Sequence, residues 1–219
     1  MEWTCTNQLV IEVLRVCSMS SEEKKAALDQ TNQEKLPRNP LDLTYIKRFF
    51  YRDRSSPQKQ IEPYVAKGQV VADLGCGPGF YTLALADCVG PEGKVYAVDF
   101  SEKCIQTLDK KVEKGGYHNI EMHASSASDL SFINDGSVDF VLANGLLCSM
   151  TDHRHAAVNE IKRILKPVGQ AYLSLGAPWL PPLLGYVNRK EWKTILEGFS
   201  VQRRGGFLQK WAVVSKKQR

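Results

Sequence analysis

The stretch VVADLGCGPGFYT, residues 70–82, joins an apolar strand pattern to a glycine-rich turn. Four of its first five residues are apolar, as expected of a buried parallel strand, and Gly75, Gly77 and Gly79 follow where a strand would give way to a helix. Glycine adopts positive φ in a tight turn and leaves room for a ligand against bare backbone. The stretch therefore predicts a strand, a ligand-binding loop and a helix.

A second carboxylate narrows the choice of ligand. Asp99 follows Gly79 by 20 positions, at the end of a strand pattern over residues 94–98, and a carboxylate there can accept both hydroxyl protons of a ribose diol. Phe80 stands where a dinucleotide fingerprint has its third glycine. Asp73 precedes the first glycine, where it would repel a pyrophosphate and attract the ammonium and sulfonium groups of S-adenosyl-L-methionine. The sequence thus favours S-adenosyl-L-methionine over a nicotinamide cofactor.

Five motifs in order resemble those of the class I S-adenosylmethionine-dependent methyltransferases, in the methyltransferase-domain group that includes ubiquinone and menaquinone C-methyltransferases. They are DLGCGPG at 73–79, YAVDFSE at 96–102, NIEMHASSASDL at 119–130, VDFVLANGLL at 138–147 and EIKRILKPVGQAYLS at 160–174. The resemblance covers residues 42–219, with Val168 where the family usually has glycine. It implies an α/β fold with a doubly wound, mostly parallel seven-stranded sheet, the Rossmann-like methyltransferase fold.

The remaining patterns agree with that expectation. They predict helices at 80–88, stopped by Gly90, at 102–114, stopped by Gly115 and Gly116, and at 152–166, stopped by Pro167. Asn188 and Glu191 are placed to cap a further helix, and strand patterns at 200–203 and 207–215 predict a C-terminal antiparallel hairpin joined through Gly205 and Gly206. Alternating strands and helices place the ligand at the carboxyl ends of a parallel sheet.

Residues 1–41 read as a separate N-terminal helical extension. Ser20 and Glu23 form a capping box for a helix, and Pro37 and Pro40 mark a linker. Two interpretations stay open: a cap on one edge of the domain, or a lid that admits the substrate and excludes water. Residues 42–219 then form one methyltransferase domain.

Composition limits the class of protein. The chain has 219 residues, 43% of them hydrophobic, which is enough for one substantial core. The formal net charge of +5 is mild, and its small basic clusters read as solvated surface, so nucleic acid is an unlikely partner. The six cysteines form no CxxC pair and no zinc spacing, which predicts reduced intracellular thiols and no metal site.

The apolar stretches of the sequence bear on the cellular location of the protein. Glu12 and Arg15 interrupt the apolar run at 9–16, so no signal peptide is predicted, and no apolar stretch approaches membrane-spanning length. The sequence therefore predicts a cytoplasmic protein without membrane association and leaves the oligomeric state open.

The predicted cofactor site gathers residues from four motifs. Cys76 contributes through its backbone, Phe100 stacks on the adenine or packs in the core, and Asn144 aligns with a family position that faces the methionine amino group and the acceptor. Ser126, beside Ala127, stands where the family often has an aspartate that accepts from the adenine amino group. The predicted set is Asp73, Gly75, Cys76, Gly77, Gly79, Asp99, Phe100, Ser126, Ala127 and Asn144.

Methyl transfer from a sulfonium requires an acceptor held in line with the methyl carbon, and a general base is optional. No spacing among the histidines, tyrosines and cysteines identifies such a base. The fourth motif reads ANGL and lacks the proline-aromatic signature of DNA amino-methyltransferases, whereas the apolar segment 177–187 favours a small, partly apolar acceptor. The candidate acceptor-binding residues are Asn144, Cys148, Trp179 and Tyr51.

The leading hypothesis is a methyltransferase that transfers a methyl group to an oxygen, nitrogen, sulfur or carbon atom of a small molecule. The alternatives are an RNA or protein methyltransferase, a thiol or arsenite methyltransferase, and a non-catalytic S-adenosylmethionine-binding protein. A nicotinamide dehydrogenase is disfavoured by Asp73 and Phe80.

Overall fold

The structure is a computed structural model that describes residues 57–150, 152–175, 187–205 and 210–217. The predicted N-terminal extension or lid, the domain boundary at 41/42, and the candidate acceptor residues Tyr51 and Trp179 lie outside the described residues.

The described strands form a seven-stranded sheet in the order β3-β2-β1-β4-β5-β7-β6. The first five strands pair in parallel, and β7 pairs antiparallel with both β5 and β6, as predicted. The strands are β1 Val70–Leu74, β2 Lys94–Asp99, β3 Ile120–Ala124, β4 Val138–Asn144, β5 Leu165–Ser174, β6 Phe199–Gly205 and β7 Trp211–Lys216. The order reverses between β1 and β4, and open α/β sheets bind ligands at the carboxyl ends of strands beside such a reversal.

Local sequence signals cap two of the described helices. Ser101 accepts a hydrogen bond from the Cys104 N–H at the start of α3, and Gly116 ends that helix with φ of 65°. The side chain of Asn188 accepts from the Glu191 N–H, which confirms the predicted cap. The helices are α1 Pro57–Ile61, followed by a 3₁₀ turn at Glu62–Tyr64, then α2 Thr82–Val89, α3 Glu102–Gly115, α4 Leu146–Ser149, α5 Arg154–Ile164 and α6 Arg189–Glu197.

Three predicted boundaries are wrong. The helix predicted at 152–166 ends at Ile164, because Leu165 pairs with Val138 and begins β5, and Pro167 lies inside that strand beside a register shift. Helix α2 begins at Thr82 rather than at residue 80. The described part of β7 begins at Trp211, and Gly205 ends β6 instead of forming the turn.

Both faces of the sheet are covered. Ala72 and Leu74 of β1 pack into a core cluster shared with α5 and α6, whereas Val71 packs into a second cluster with α1 and α2. A third, smaller cluster joins Cys76 to Leu108 of α3. Burial of β1 on both faces explains its almost uninterrupted apolar run, and it leaves the carboxyl ends of the central strands as the place where polar side chains meet.

Candidate cofactor site

The glycine loop, residues 75–79, connects β1 to the segment before α2 and is tied to the neighbouring strand. The N–H groups of Gly75 and Cys76 donate to the Val98 carbonyl at 2.8 and 3.0 Å. Gly75, Gly77 and Gly79 have φ values of 74°, 53° and 86°. All three are therefore in the left-handed region that favours glycine.

The three glycines differ in what surrounds them. A Cβ at Gly79 would lie 2.3 Å from Leu108 Cδ1, and one at Gly75 would lie 3.1 Å from Leu146 Cδ1, so protein packing accounts for both. At Gly77, no atom of the described residues lies within 4 Å of such a Cβ. Of these three glycines, only Gly77 therefore fits the expectation that an added side chain would occupy the space of a ligand. The open space beside its backbone suits a bound ligand.

Asp99 ends β2 and organises the glycine loop from the side. Its Oδ2 accepts from the Gly77 N–H at 2.8 Å, and its Oδ1 accepts from the Ser101 N–H at 2.8 Å. A carboxylate has about four lone-pair sites, so both oxygens keep acceptor capacity for a ribose diol. The same side chain that is predicted to bind the ribose thus also fixes the backbone at Gly77.

Asp73, the carboxylate before the first glycine, is almost completely buried, with 3% of its surface exposed. It accepts a hydrogen bond from the Thr82 hydroxyl at 2.7 Å, and this bond attaches the first residue of α2 to β1. A buried carboxylate at this edge of the sheet keeps a negative potential beside the loop. That potential suits the ammonium and sulfonium groups for which the residue was proposed.

Phe100 follows Asp99 and is 85% exposed, so the alternative that it packs in the core is wrong. Phe80, on the other side of the loop, is 59% exposed. A large apolar ring in water forgoes the stabilisation that burial brings. The exposed ring of Phe100, adjacent to the proposed ribose carboxylate, is available for stacking on a base.

Ser126 and Ala127 lie in the β3–β4 loop, residues 125–137. The Ser125 N–H donates to the Asp99 carbonyl at 3.1 Å, which brings the start of this loop to the end of β2. The Ser126 hydroxyl lies 2.7 Å from the Ser128 hydroxyl, and Ala127 is buried. The loop that carries Ser126 and Ala127 therefore starts beside the end of β2, where Asp99 lies.

Asn144 ends β4 and faces the neighbouring strand end. Its Oδ1 accepts a hydrogen bond from the hydroxyl of Ser174, and this hydroxyl also accepts from the Gly145 N–H at 3.0 Å. Ser174 is fully buried and was not predicted as part of the site. Cys148, in the short helix α4, is half-buried and packs against the core. Asn144 thus stands at the strand end from which α4 begins.

Cys76 does not have the properties of a nucleophile. Its side chain is 5% exposed, and burial raises the pKa of the thiol, which the carboxylates of Asp73 and Asp99 raise further. The reactive form of cysteine is the thiolate. At neutral pH Cys76 therefore remains a protonated filler inside the loop.

We expect Cys76→Ser to keep both S-adenosylhomocysteine binding and methyl transfer, because the loop uses the backbone of this residue. Burying a hydroxyl in place of a thiol will cost about 1–3 kcal/mol of stability. Calorimetric titration and a turnover assay check this, with the half-buried Cys88→Ser as the control outside the loop. Loss of turnover at unchanged affinity in Cys76→Ser alone would establish a cysteine-dependent mechanism.

Two charged side chains on α5 were missed by the sequence reasoning. Glu160 and Arg163 form an ion pair at 2.8 Å, and both bind the β3–β4 loop. The hydrogen bonds from Arg163 lower the pKa of the Glu160 carboxyl, against the opposing effect of burial. Their spacing of three residues was visible in the sequence, but the carbonyl groups that Arg163 binds have no sequence signature.

The Glu160 carboxylate predicts a pH dependence of stability. Because its pKa is lower in the folded state, the pair stabilises the protein fully above about pH 5 and this contribution is lost as the pH falls through the folded value. We expect Glu160→Gln to reduce the free energy of unfolding by about 1–2 kcal/mol at pH 7, with a smaller difference from the parent at pH 4.

Urea unfolding at the two pH values measures this difference. The exposed pair Lys193–Glu197, at 3.8 Å, supplies the control, and Glu197→Gln should change stability by less than about 0.5 kcal/mol. If Glu160→Gln lowered the free energy of unfolding equally at both pH values, the ionised Glu160 carboxylate would not be the source of the stabilisation.

Within residues 57–150, 152–175, 187–205 and 210–217, no group of three or more His, Cys, Asp or Glu side chains could hold a metal ion. No helix in the described part of the chain is long and apolar enough to span a membrane.

Comparison with known proteins agrees with this geometry. Residues 71–169 match the family described as "Methyltransferase domain". The chain is 39% identical to the demethylmenaquinone methyltransferase of Geobacillus stearothermophilus over 105 residues. These residues are 48% of this chain and 44% of that protein. It is 36% identical over 106 residues to the demethylmenaquinone methyltransferase of Bacillus velezensis, 48% of this chain and 45% of that protein. The chain thus matches less than half the length of these curated relatives.

A solved structure extends the similarity over most of the chain. The crystal structure of an S-adenosylmethionine-dependent methyltransferase from Aquifex aeolicus superposes with a TM-score of 0.66 and 26% identity, covering 80% of this chain and 99% of that one. The loop geometry, the strand order and these relatives agree with one another. Residues 71–169 therefore match a methyltransferase domain, and the chain is similar in sequence and fold to class I S-adenosylmethionine-dependent methyltransferases, among them the quinone methyltransferases.

Proposed function

We propose that this protein transfers a methyl group from S-adenosyl-L-methionine to a small-molecule acceptor by in-line displacement. The observation that carries the proposal is the open space at Gly77, whose N–H is held by the same carboxylate, Asp99, that ends β2. A ligand with a ribose diol and an adjoining chain fits a carboxylate beside bare backbone.

The residues present fit this cofactor. Asp99 would accept from the ribose hydroxyls, and the exposed ring of Phe100 would stack on the adenine. Asp73 would supply a negative potential for the methionine ammonium and the sulfonium. When bound, S-adenosyl-L-methionine supplies an electrophilic methyl group on a positively charged sulfur.

The chain's contribution to the chemistry is orientation and exclusion of water. In the displacement, an electron pair of the acceptor forms the bond to the methyl carbon, and the electrons of the methyl–sulfur bond return to the sulfur. Holding the two reacting atoms about 3 Å apart and in line supplies most of the rate enhancement without an enzyme nucleophile. Asn144, at the end of β4, would orient the methionine amino group and the acceptor; Cys148, Tyr51 and Trp179 complete the proposed acceptor-binding set.

The acceptor class is supported by the relatives and by the sequence. The curated relatives are named for demethylmenaquinone, and in this chain the apolar segment 177–187 follows the fifth strand in the sequence. An apolar, ring-containing small molecule of the quinol type is therefore the first acceptor to test. The protein would work in the cytoplasm without nucleic acid as a partner.

The test is a transfer assay with labelled methyl donor against quinols, simple thiols, arsenite and RNA. We expect label in a small organic acceptor, with quinols ahead of the others. Label in RNA or arsenite alone would overturn the proposed acceptor class. Tight S-adenosylhomocysteine binding without transfer to any acceptor would instead identify a non-catalytic binding protein.

A further inference from the structure

The β3–β4 loop is attached to two different parts of the molecule. At its start, Ser125 donates to the carbonyl of Asp99, and the Ser126–Ser128 turn closes through the Ser126 hydroxyl and through the Asp129 N–H, which donates to the Ser126 carbonyl at 2.9 Å. Further along, Leu130 and Ile133 are fully buried in the core shared with α5. The segment proposed to meet the adenine therefore lies between the end of β2 and the surface of α5.

One guanidinium makes most of the attachments to α5. Arg163 donates to the carbonyl of Leu130 at 2.7 Å and to the carbonyl of Ile133 at 2.8 Å, and it also donates to the Asp135 carboxylate at 2.6 Å. The carbonyl of Arg163 itself accepts from the Gly136 N–H at 2.9 Å. Arg163 therefore binds four residues of this loop.

Glu160 holds the guanidinium and the loop together. Its two oxygens accept from Arg163 at 2.8 and 2.9 Å, and Oε2 also accepts from the Leu130 N–H at 2.8 Å. Leu130 is thus bound through both its N–H and its carbonyl by one ion pair. A planar guanidinium with five donors can satisfy this set, whereas a lysine ammonium cannot present the same fork.

We propose that Glu160 and Arg163 are positioning residues for adenine recognition: they fix the β3–β4 loop so that Ser126 and Ala127 stay beside the ribose carboxylate Asp99. The inference rests on the proposed function, because it takes the bound ligand to be an adenine nucleoside. Neither residue is proposed to touch the ligand. Specificity of this kind requires polar groups that are held in place before the ligand arrives.

The experiment compares two ligands on matched variants. S-adenosylhomocysteine and its hypoxanthine analogue, S-inosylhomocysteine, differ at the base and share the ribose that Asp99 would bind. The variants are Arg163→Met and the control Lys166→Met, which removes the same charge three residues away. Lys166 pairs at 2.8 Å with Asp139, which also accepts from the Val70 N–H and so lies at the amino ends of the strands.

For the parent and for Lys166→Met, we expect a preference for the adenine ligand of at least about tenfold, since a site built to hydrogen-bond one base discriminates strongly against a ligand that mispairs with it. Arg163→Met should bind S-adenosylhomocysteine at least about tenfold more weakly and reduce the preference to less than about threefold. Arg163→Lys should fall between the two. If Arg163 only stabilised the fold, Arg163→Met would weaken the binding of both ligands equally and leave the preference unchanged.

The outcomes separate this inference from the proposed function. A parent that binds neither ligand refutes the proposed function itself. If the parent prefers the adenine ligand and the folded Arg163→Met variant keeps the same preference, the inference alone is overturned. The inference is also overturned if the parent binds the two ligands equally well. If Arg163→Met does not fold, Glu160→Gln and Arg163→Lys decide the question through the same preference, and faster amide hydrogen exchange confined to residues 125–137 is expected in both.

Discussion

Gly77→Val is expected to abolish S-adenosylhomocysteine binding while leaving the fold largely intact. No atom of the described residues lies within 4 Å of a Cβ at this position, so valine meets no protein atom and instead fills the space assigned to the ligand. The backbone φ of 53° adds strain, of about 1–3 kcal/mol for a non-glycine residue. Circular dichroism reports the fold, and calorimetric titration reports binding.

Gly116→Val is the control for that strain. Gly116 has a φ of 65° and equally open surroundings among the described residues, but it lies at the end of α3 rather than in the glycine loop. We expect this variant to lose stability and to bind the ligand like the parent. A folded Gly77→Val protein with normal affinity would remove the loop from the cofactor site.

Asp99→Ala is expected to weaken binding of S-adenosylhomocysteine by at least about tenfold. Two charge-assisted hydrogen bonds to the ribose would be lost, each contributing about 1.5–3 kcal/mol. The structure adds a second cause, because the N–H groups of Gly77 and Ser101 would lose their acceptor and the loop its fixed geometry. The titration uses the same ligand for parent and variant.

Asp109→Ala is the matched control, since Asp109 is an exposed carboxylate on the nearby helix α3. It should leave the affinity unchanged. An affinity of Asp99→Ala within a factor of about two of the parent would show that Asp99 does not bind the ribose.

The parts of the fold that the sequence predicted depend on local patterns. The run at Val70–Leu74, the glycines after it and Asp99 at the end of β2 are each specified by residues a few positions apart. Boundaries set by distant pairing were missed. The end of α5 is the clearest example, because it depends on the pairing of Leu165 with Val138 across the sheet.

The same distinction applies to the site. The glycine spacing predicted a loop. It did not show that packing against Leu108 excludes a side chain at Gly79, whereas the space at Gly77 is open. The pattern around Phe100 could not separate a buried ring from an exposed one. The attachments of Arg163 were invisible for a further reason: they involve backbone carbonyls about 30 residues away, which every residue type possesses.

Calorimetric titration of the protein with S-adenosylhomocysteine and, separately, with NAD tests the central claim most directly. Asp73 beside the loop and Phe80 in place of a third glycine both oppose a pyrophosphate, whereas Asp99 and the open face of Gly77 suit the methyl donor. We predict one bound S-adenosylhomocysteine with a dissociation constant of about 1–100 μM and no heat of binding with NAD. Binding of NAD without binding of S-adenosylhomocysteine would contradict the account.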